Sequence, residues 1–128
     1  MIAFGFRLLA FLALASAGPA AIAQTFHIRP ALVAESSHPA AGTTTTVALV
    51  MKTEPGWHGY WKNPGDSGFE TEIDWRLPTG VTASPLRYPM PDAQLITGLM
   101  SYVYEGDYAP LLDITVPPGL AAGTPLAI

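Results

Sequence analysis

The sequence predicts an all-β fold, a single two-sheet β-sandwich, and three observations lead there. Short runs of alternating apolar and polar residues recur between turn signals. Thirteen prolines and twelve glycines are spread along the 128 residues, more breakers than a helical bundle tolerates. After Ala23 no window longer than a few residues keeps a 3.6-residue period. Hydrophobic residues make up 49%, enough to exclude a disordered chain. The length fits one domain with one core.

The first 23 residues are predicted to stand outside that fold, as a secretory signal peptide. Arg7 supplies a positive start, residues 8–15 an apolar run, Gly18 and Pro19 a break, and Ala21-Ile22-Ala23 a small-residue cleavage site. The uncharged stretch 8–23 falls short of the roughly 20 residues that span a bilayer. The mature domain is then residues 24–128, exported through a membrane into an oxidising compartment.

Within it, residues 25–34 form the first expected strand. Residues 43–53 are the clearest one: Val47, Leu49 and Met51 alternate with Ala48, Val50 and Lys52, and four threonines favour the pleat. Glu54-Pro55-Gly56 is a turn. Residues 57–62 form a short aromatic strand, and residues 63–68 a loop rich in turn formers. Residues 71–77 alternate again, with Ile73 and Trp75 opposite Glu72, Asp74 and Arg76. Residues 84–88 make a brief strand that Pro89 and Pro91 end. Residues 95–99 are apolar but short. In residues 108–116, Leu112, Ile114 and Val116 share a face. The expected core is Val47, Leu49, Met51, Ile73, Trp75, Leu112 and Ile114.

Composition removes several function classes. Six basic against ten acidic side chains, with no basic stretch, make nucleic acid a poor partner. No cysteine is present, so these residues hold no disulfide, zinc–thiolate site or thiol nucleophile. No glycine-rich phosphate loop implies a nucleotide, and no cofactor is expected. His27, His38 and His58 lack the close spacing of metal ligands, so no metal site is assigned. Glu70, Glu72 and Asp74 read as a solvated strand face. Gly65-Asp66-Ser67-Gly68, with His58 upstream, resembles the nucleophile segment of chymotrypsin-like proteases. The surrounding glycine and proline context is missing, and the chain is too short for two barrels.

The densest cluster is residues 55–68, Pro-Gly-Trp-His-Gly-Tyr-Trp-Lys-Asn-Pro-Gly-Asp-Ser-Gly. Strand alternation puts Trp57, Gly59 and Trp61 on one face and His58 and Tyr60 on the other. One face is expected to fill the core. The other is either an aromatic floor for a ligand or partner, or buried as well.

This stretch, followed by Ile73-Asp74-Trp75 and Leu77-Pro78-Thr79-Gly80, resembles the N-terminal periplasmic domain of DsbD-like thiol:disulfide interchange proteins. Tyr88-Pro89-Met90-Pro91 and Tyr104-Glu105-Gly106 with Leu111-Leu112 fit the branch linked to suppression of copper sensitivity. The resemblance covers nearly all the mature chain. It implies an immunoglobulin-like β-sandwich that relays electrons from a transmembrane domain to periplasmic thiol–disulfide proteins. Cytochrome c maturation, disulfide isomerisation and copper tolerance are the processes so served. Such proteins are protein-disulfide reductases anchored in the inner membrane, often with a thioredoxin-like domain.

The family works through a cysteine pair on strands that would follow residues 111–116, and this chain has none. The expected reading is therefore a domain incomplete at its C-terminus. Leu126-Ala127-Ile128 begins a strand, two or three strands of a seven-stranded sandwich are wanting, and the pair lies beyond Ile128 with transmembrane helices downstream. No catalytic residue is assigned within the chain, which alone should be poorly folded and inactive as a reductase. The resemblance places Tyr60 near the cysteine pair and a shielding cap loop near residues 92–102, without the family's acidic cap residues. Tyr102 or Tyr104 would supply an aromatic cap. The residues expected to border the site are Trp57, His58, Tyr60, Trp61, Asp66, Tyr102 and Tyr104. Two other readings are a non-enzymatic exported sandwich that binds a protein partner, and a periplasmic copper-handling module using Met51, Met90 and Met100.

Overall fold

The computed structural model describes residues 25–121 and 123–124. The signal-peptide assignment and the strand start at residues 126–128 lie outside those residues. The described chain is all-β, with seven strands: β1 (Ile28–Ala34), β2 (Thr44–Thr53), β3 (Gly59–Gly65), β4 (Thr82–Ala83), β5 (Asp92–Ile96), β6 (Leu99–Tyr104) and β7 (Leu111–Thr115). They form two antiparallel sheets, ordered β1-β2-β7-β4 and β3-β6-β5. This is the four-on-three sandwich the alternation implies. Among the described residues no helix is long and apolar enough to cross a membrane.

β2 is the axis of the first sheet, because it is paired on both sides. Ala34 sits opposite Val47 on β1, and Leu112 opposite Val47 on β7. Val47, Leu49 and Met51 are buried, as are Leu112, Ile114 and Val116. Each side chain so buried contributes roughly 1.5–3 kcal/mol. The polar face of the same strands is tied together by side chains. Thr44 Oγ1 meets Thr115 Oγ1 at 3.0 Å, and Thr46 Oγ1 donates to Asp113 at 3.1 Å. Asp113 also accepts both Arg87 nitrogens, at 2.7 and 3.0 Å.

The core divides into two clusters. Leu49 and Met51 pack with Tyr104 and Tyr108, flanked by Trp61, Ile73 and Tyr88. Val47, Leu112 and Ile114 pack with Val81, flanked by Trp75, Leu77, Ala83 and Leu86. The second sheet thus covers one end of the first. Trp75, Leu77 and Val81 cover the other end.

Several expectations need correction. Residues 71–77 pair with neither sheet. Their alternation is nonetheless real: Ile73, Trp75 and Leu77 are half-buried, and Glu72, Asp74 and Arg76 are exposed. An extended segment needs a face to alternate against, not a ladder, so the pattern marks burial without marking pairing. Ile73 and Trp75 accordingly rest against the core rather than inside it.

The strand expected at residues 84–88 is reduced to β4 at 82–83 and a single bridge from Arg87 to Leu111, since Pro85 has no N–H to give a ladder. The loop expected over residues 63–68 starts later. β3 runs on to Gly65, with its register to β6 broken between Tyr60 and Gly65. Residues 95–99 are the centre of a hairpin. Ile96 pairs with Leu99 across Thr97 (φ 49°) and Gly98 (φ 83°), the doubly positive pair of a type I′ turn. Seven strands stand among the described residues, so a shortfall in strand number does not hold as an argument that the sandwich lacks strands.

Candidate functional site

The site is built on the second sheet. Gly59 pairs with Tyr104, and Tyr60 with Val103. Partners share a face, so Gly59, Trp61, Tyr102 and Tyr104 look toward the first sheet, while Tyr60, Ser101 and Val103 look away.

The deep end of the inward face is a tyrosine cluster. Tyr104 stacks on Tyr108, with ring centroids 4.2 Å apart and planes 15° from parallel. Its hydroxyl donates to the Pro89 carbonyl at 2.7 Å. Burial, and after it the neighbouring phenols of Tyr108 and Tyr88, push the Tyr104 hydroxyl up to about 12. Burial also raises Tyr108 and Tyr88. All three are neutral at physiological pH, and the Tyr88 hydroxyl is buried without a hydrogen-bond partner. The close approach depends on Gly59, where any Cβ would overlap the Tyr108 phenol.

The shallow end is an aromatic and aliphatic shelf. Trp61 and Tyr102 meet edge to face at 5.8 Å, and the Lys62 ammonium lies 5.4 Å from the centre of the Trp61 ring. Both aromatics are half-buried. Ala93 is the cross-strand partner of Tyr102, and Leu95 that of Met100. Leu95 is 70% exposed and Met100 41%, so the shelf runs out into solvent along the hairpin.

Asp66 fastens this hairpin to β3. Its carboxylate accepts the Met100 N–H at 2.8 Å, and its own N–H donates to the Met100 carbonyl at 2.8 Å. On the outward face His58 Nε2 and the Tyr60 hydroxyl lie 3.1 Å apart, with rings edge to face. Both are half-buried. Gly68 backs the Tyr60 ring, with no room for a Cβ and a φ of 100°. Ser67 Oγ is 3.1 Å from Ser101 Oγ. Ser67, Asp66 and His58 are therefore each engaged with a different partner, and no proteolytic triad forms.

Trp57 is placed elsewhere. It precedes β3, so strand alternation does not reach it, and it turns onto β1. Its ring is 49% exposed and stacks on His27 at 3.7 Å, 6° from parallel. His27 bonds Glu54 at 2.9 Å, and Arg29 bonds the other carboxylate oxygen at 2.9 Å. The His27 hydrogen bond holds the Glu54 carboxyl below its usual range, with the Arg29 charge adding to it.

The seven expected site residues thus fall into three groups. Trp61, Tyr102 and Tyr104 line the inward face, with Asp66 clamping it. His58 and Tyr60 sit behind, and Trp57 is apart. The sequence reading missed Tyr88, Tyr108, Leu95 and Met100. Leu95 lay in the apolar run at residues 95–99, and both Leu95 and Met100 lay in the expected cap loop near residues 92–102, without being named as bordering the site. Met51, one of three methionines considered for copper, is buried in the core. Among the described residues no group of three or more His, Cys, Asp or Glu could hold a metal ion.

A family model described as "Thiol:disulfide interchange protein DsbD, N-terminal" matches residues 29–127. No curated protein and no solved structure matches the chain.

Proposed function

The chain belongs to the family of DsbD N-terminal domains, and on that premise we propose that it is the exported N-terminal domain of a membrane-anchored protein-disulfide reductase. Its place is the periplasm. It takes electrons from a transmembrane domain of the same protein and gives them to periplasmic thiol proteins. The observation that carries this reading is the family match, spanning all seven strands but the first residue of β1.

The chemistry needs a cysteine pair, which we place after Ile128. A donor thiolate attacks one sulfur of the domain's disulfide, the S–S bond breaks, and a mixed disulfide forms. The second donor thiol resolves it, leaving the domain with two thiols and the donor oxidised. The same exchange then reduces the partner's disulfide. Two electrons and two protons move at each stage.

The residues described contribute access control rather than sulfur. Trp61, Tyr102 and the neutral Tyr104 offer an apolar wall that would keep water and stray oxidants from a nearby thiolate. Leu95 and Met100 extend that wall into a docking surface. A dry wall raises a thiol's pKa and slows adventitious oxidation. The process served is cytochrome c maturation, disulfide isomerisation or copper tolerance, according to the partner.

Reading the gene past codon 128 tests the proposal. Two cysteines a few residues apart, within a few tens of residues, are expected, followed by transmembrane helices. The domain carrying them, once reduced, should trap a partner as a mixed disulfide when its second cysteine is replaced. A continuation without cysteines overturns the proposal in favour of an exported binding module, whose edge strand β1 exposes Leu32 and Val33.

A further inference from the structure

A sheet edge is open to another strand unless something blunts it. The two sheets end in β1, β4, β3 and β5, and three of these edges are blunted. On β1 the Glu35 N–H donates to Thr46 and the His27 carbonyl accepts from Glu54, so the odd-numbered residues bond β2. Pro30 therefore stands at a position that faces outward, where its missing N–H interrupts any further ladder. β4 is two residues long, and Pro85 follows it closely. β3 carries Pro64, and its register is broken between Tyr60 and Gly65.

β5 has none of these devices. It pairs with β6 in unbroken register over all five residues, and none of them is proline. The Met100 N–H and C=O both turn away from β5, to Asp66. Its partner Leu95 is therefore a non-hydrogen-bonded position, and so is Ala93 two residues back. Their N–H and C=O groups point outward, with no strand on that side among the described residues. The two faces of this edge differ in character. Ala93 and Leu95 continue the apolar shelf of Tyr102 and Met100. On the other face Gln94 bonds Glu105, and Asp92 is exposed. Among the described residues no basic side chain pairs with either carboxylate.

We propose that β5 is a docking edge for an extended segment of a partner protein, which joins the sheet as an added strand. Two apolar residues of the segment lie opposite Ala93 and Leu95, on the shelf. The residue between them, opposite Gln94, is Lys or Arg and reaches Asp92 and Glu105. Charge selects against a second copy of this chain, which would bring two more carboxylates to the same flank. Pro91 and the turn at Thr97-Gly98 bound the edge, so the segment is as short as β5 itself. The inference rests on the docking surface of the reductase reading and on no redox pair.

Three synthetic peptides probe the edge: acetyl-Lys-Val-Lys-Val-Lys-amide, acetyl-Glu-Val-Glu-Val-Glu-amide and the scrambled acetyl-Lys-Lys-Val-Val-Lys-amide. Each is titrated into the full chain and followed by amide NMR. The first is expected to bind at least roughly tenfold tighter than the other two. It should protect the Ala93 and Leu95 amides from exchange and leave that of Gln94, already bonded to β6, unchanged. Equal binding of all three, protection elsewhere, or no binding at about 10 mM overturns the proposal. Ala93→Pro installs on β5 the device that β1 carries, and Asp92→Lys reverses the charged flank. Each is expected to weaken the first peptide at least roughly tenfold, with a melting midpoint near that of wild type. An affinity that neither variant moves overturns the proposal as well. No readout needs a cysteine, so failure here leaves the reductase reading standing, and a continuation without cysteines leaves this edge standing.

Discussion

Tyr104 and Tyr108 stack ring on ring across the two layers, 4.2 Å apart, directly above the backbone of Gly59. This contact joins the second sheet to the Leu49–Met51 end of the core. It also leaves one phenol hydroxyl bonded to the Pro89 carbonyl and the other pressed on a glycine.

Stability at high pH should follow from that burial. Tyr104 titrates at about 12 in the fold against 10 in the open chain. A folded pKa raised above the unfolded value gives stability that is whole below pH 10 and lost as pH rises toward 12. Tyr88 and Tyr108 shift the same way. Wild type should therefore lose melting temperature between pH 10 and 12. Tyr104→Phe should lose less over that window, while costing about 1 kcal/mol at pH 7 for the bond to Pro89. Thermal melts at both pH values check the pair.

Gly59→Ala should destabilise by about 1–3 kcal/mol, because the methyl overlaps the Tyr108 phenol. Tyr108→Phe removes the oxygen that the methyl meets. In urea melts the double variant should cost less than the sum of the two singles, a coupling of about 1 kcal/mol.

The bidentate pair of Arg87 and Asp113 holds the Asp113 carboxyl below its ordinary 3.8. A depressed carboxyl pKa gives stability present above the unfolded value and lost as pH falls through the folded one. Asp113→Asn should therefore melt lower than wild type at pH 7, and the gap should close below pH 3.8. Added salt should narrow it at neutral pH, since both side chains face solvent.

Thr97 holds a φ of 49° at the hairpin tip. A β-branched residue in that region costs about 1–2 kcal/mol. Thr97→Gly relieves the strain but loosens the unfolded chain. Thr97→Asn should be the better change, raising stability by about 1 kcal/mol in a denaturant melt.

Leu95→Asp places a charge on the exposed end of the shelf. The fold should change by less than about 0.5 kcal/mol, because the side chain is 70% exposed. In the protein carrying its cysteine pair, the rate of mixed-disulfide formation with its partner should fall severalfold. An unchanged rate would place the docking surface elsewhere.

β2 was legible because every second residue from Val47 to Met51 is buried by the same layer. The alternation of residues 71–77 was equally legible, and its pairing was not. Burial leaves a period-2 trace in sequence, while a hydrogen-bonded neighbour leaves none. The turn at Thr97-Gly98 escaped because threonine is a poor marker of positive φ. Trp57, His58, Tyr60 and Trp61 read as one aromatic site, yet β3 begins at Gly59, two residues later than expected, and Trp57 outside the strand goes to another wall. Tyr88, Tyr104 and Tyr108 assemble from three segments, and no local spacing announces a cluster of that kind.

The second layer of the sandwich is two materials. Over Leu49 and Met51 it is a hydrogen-bonded sheet. Over Leu112 and Ile114 it includes Trp75 and Leu77, from the segment 71–77 that is held by side chains and no ladder. A sheet opens as a unit, whereas a strip held by its side chains can peel. Amides of 71–77 should exchange with solvent far sooner than those of β2 beneath them, although Trp75 is half-covered. A protease would find its first cut there, and the N-terminal fragment so released would still hold β1, β2 and β3.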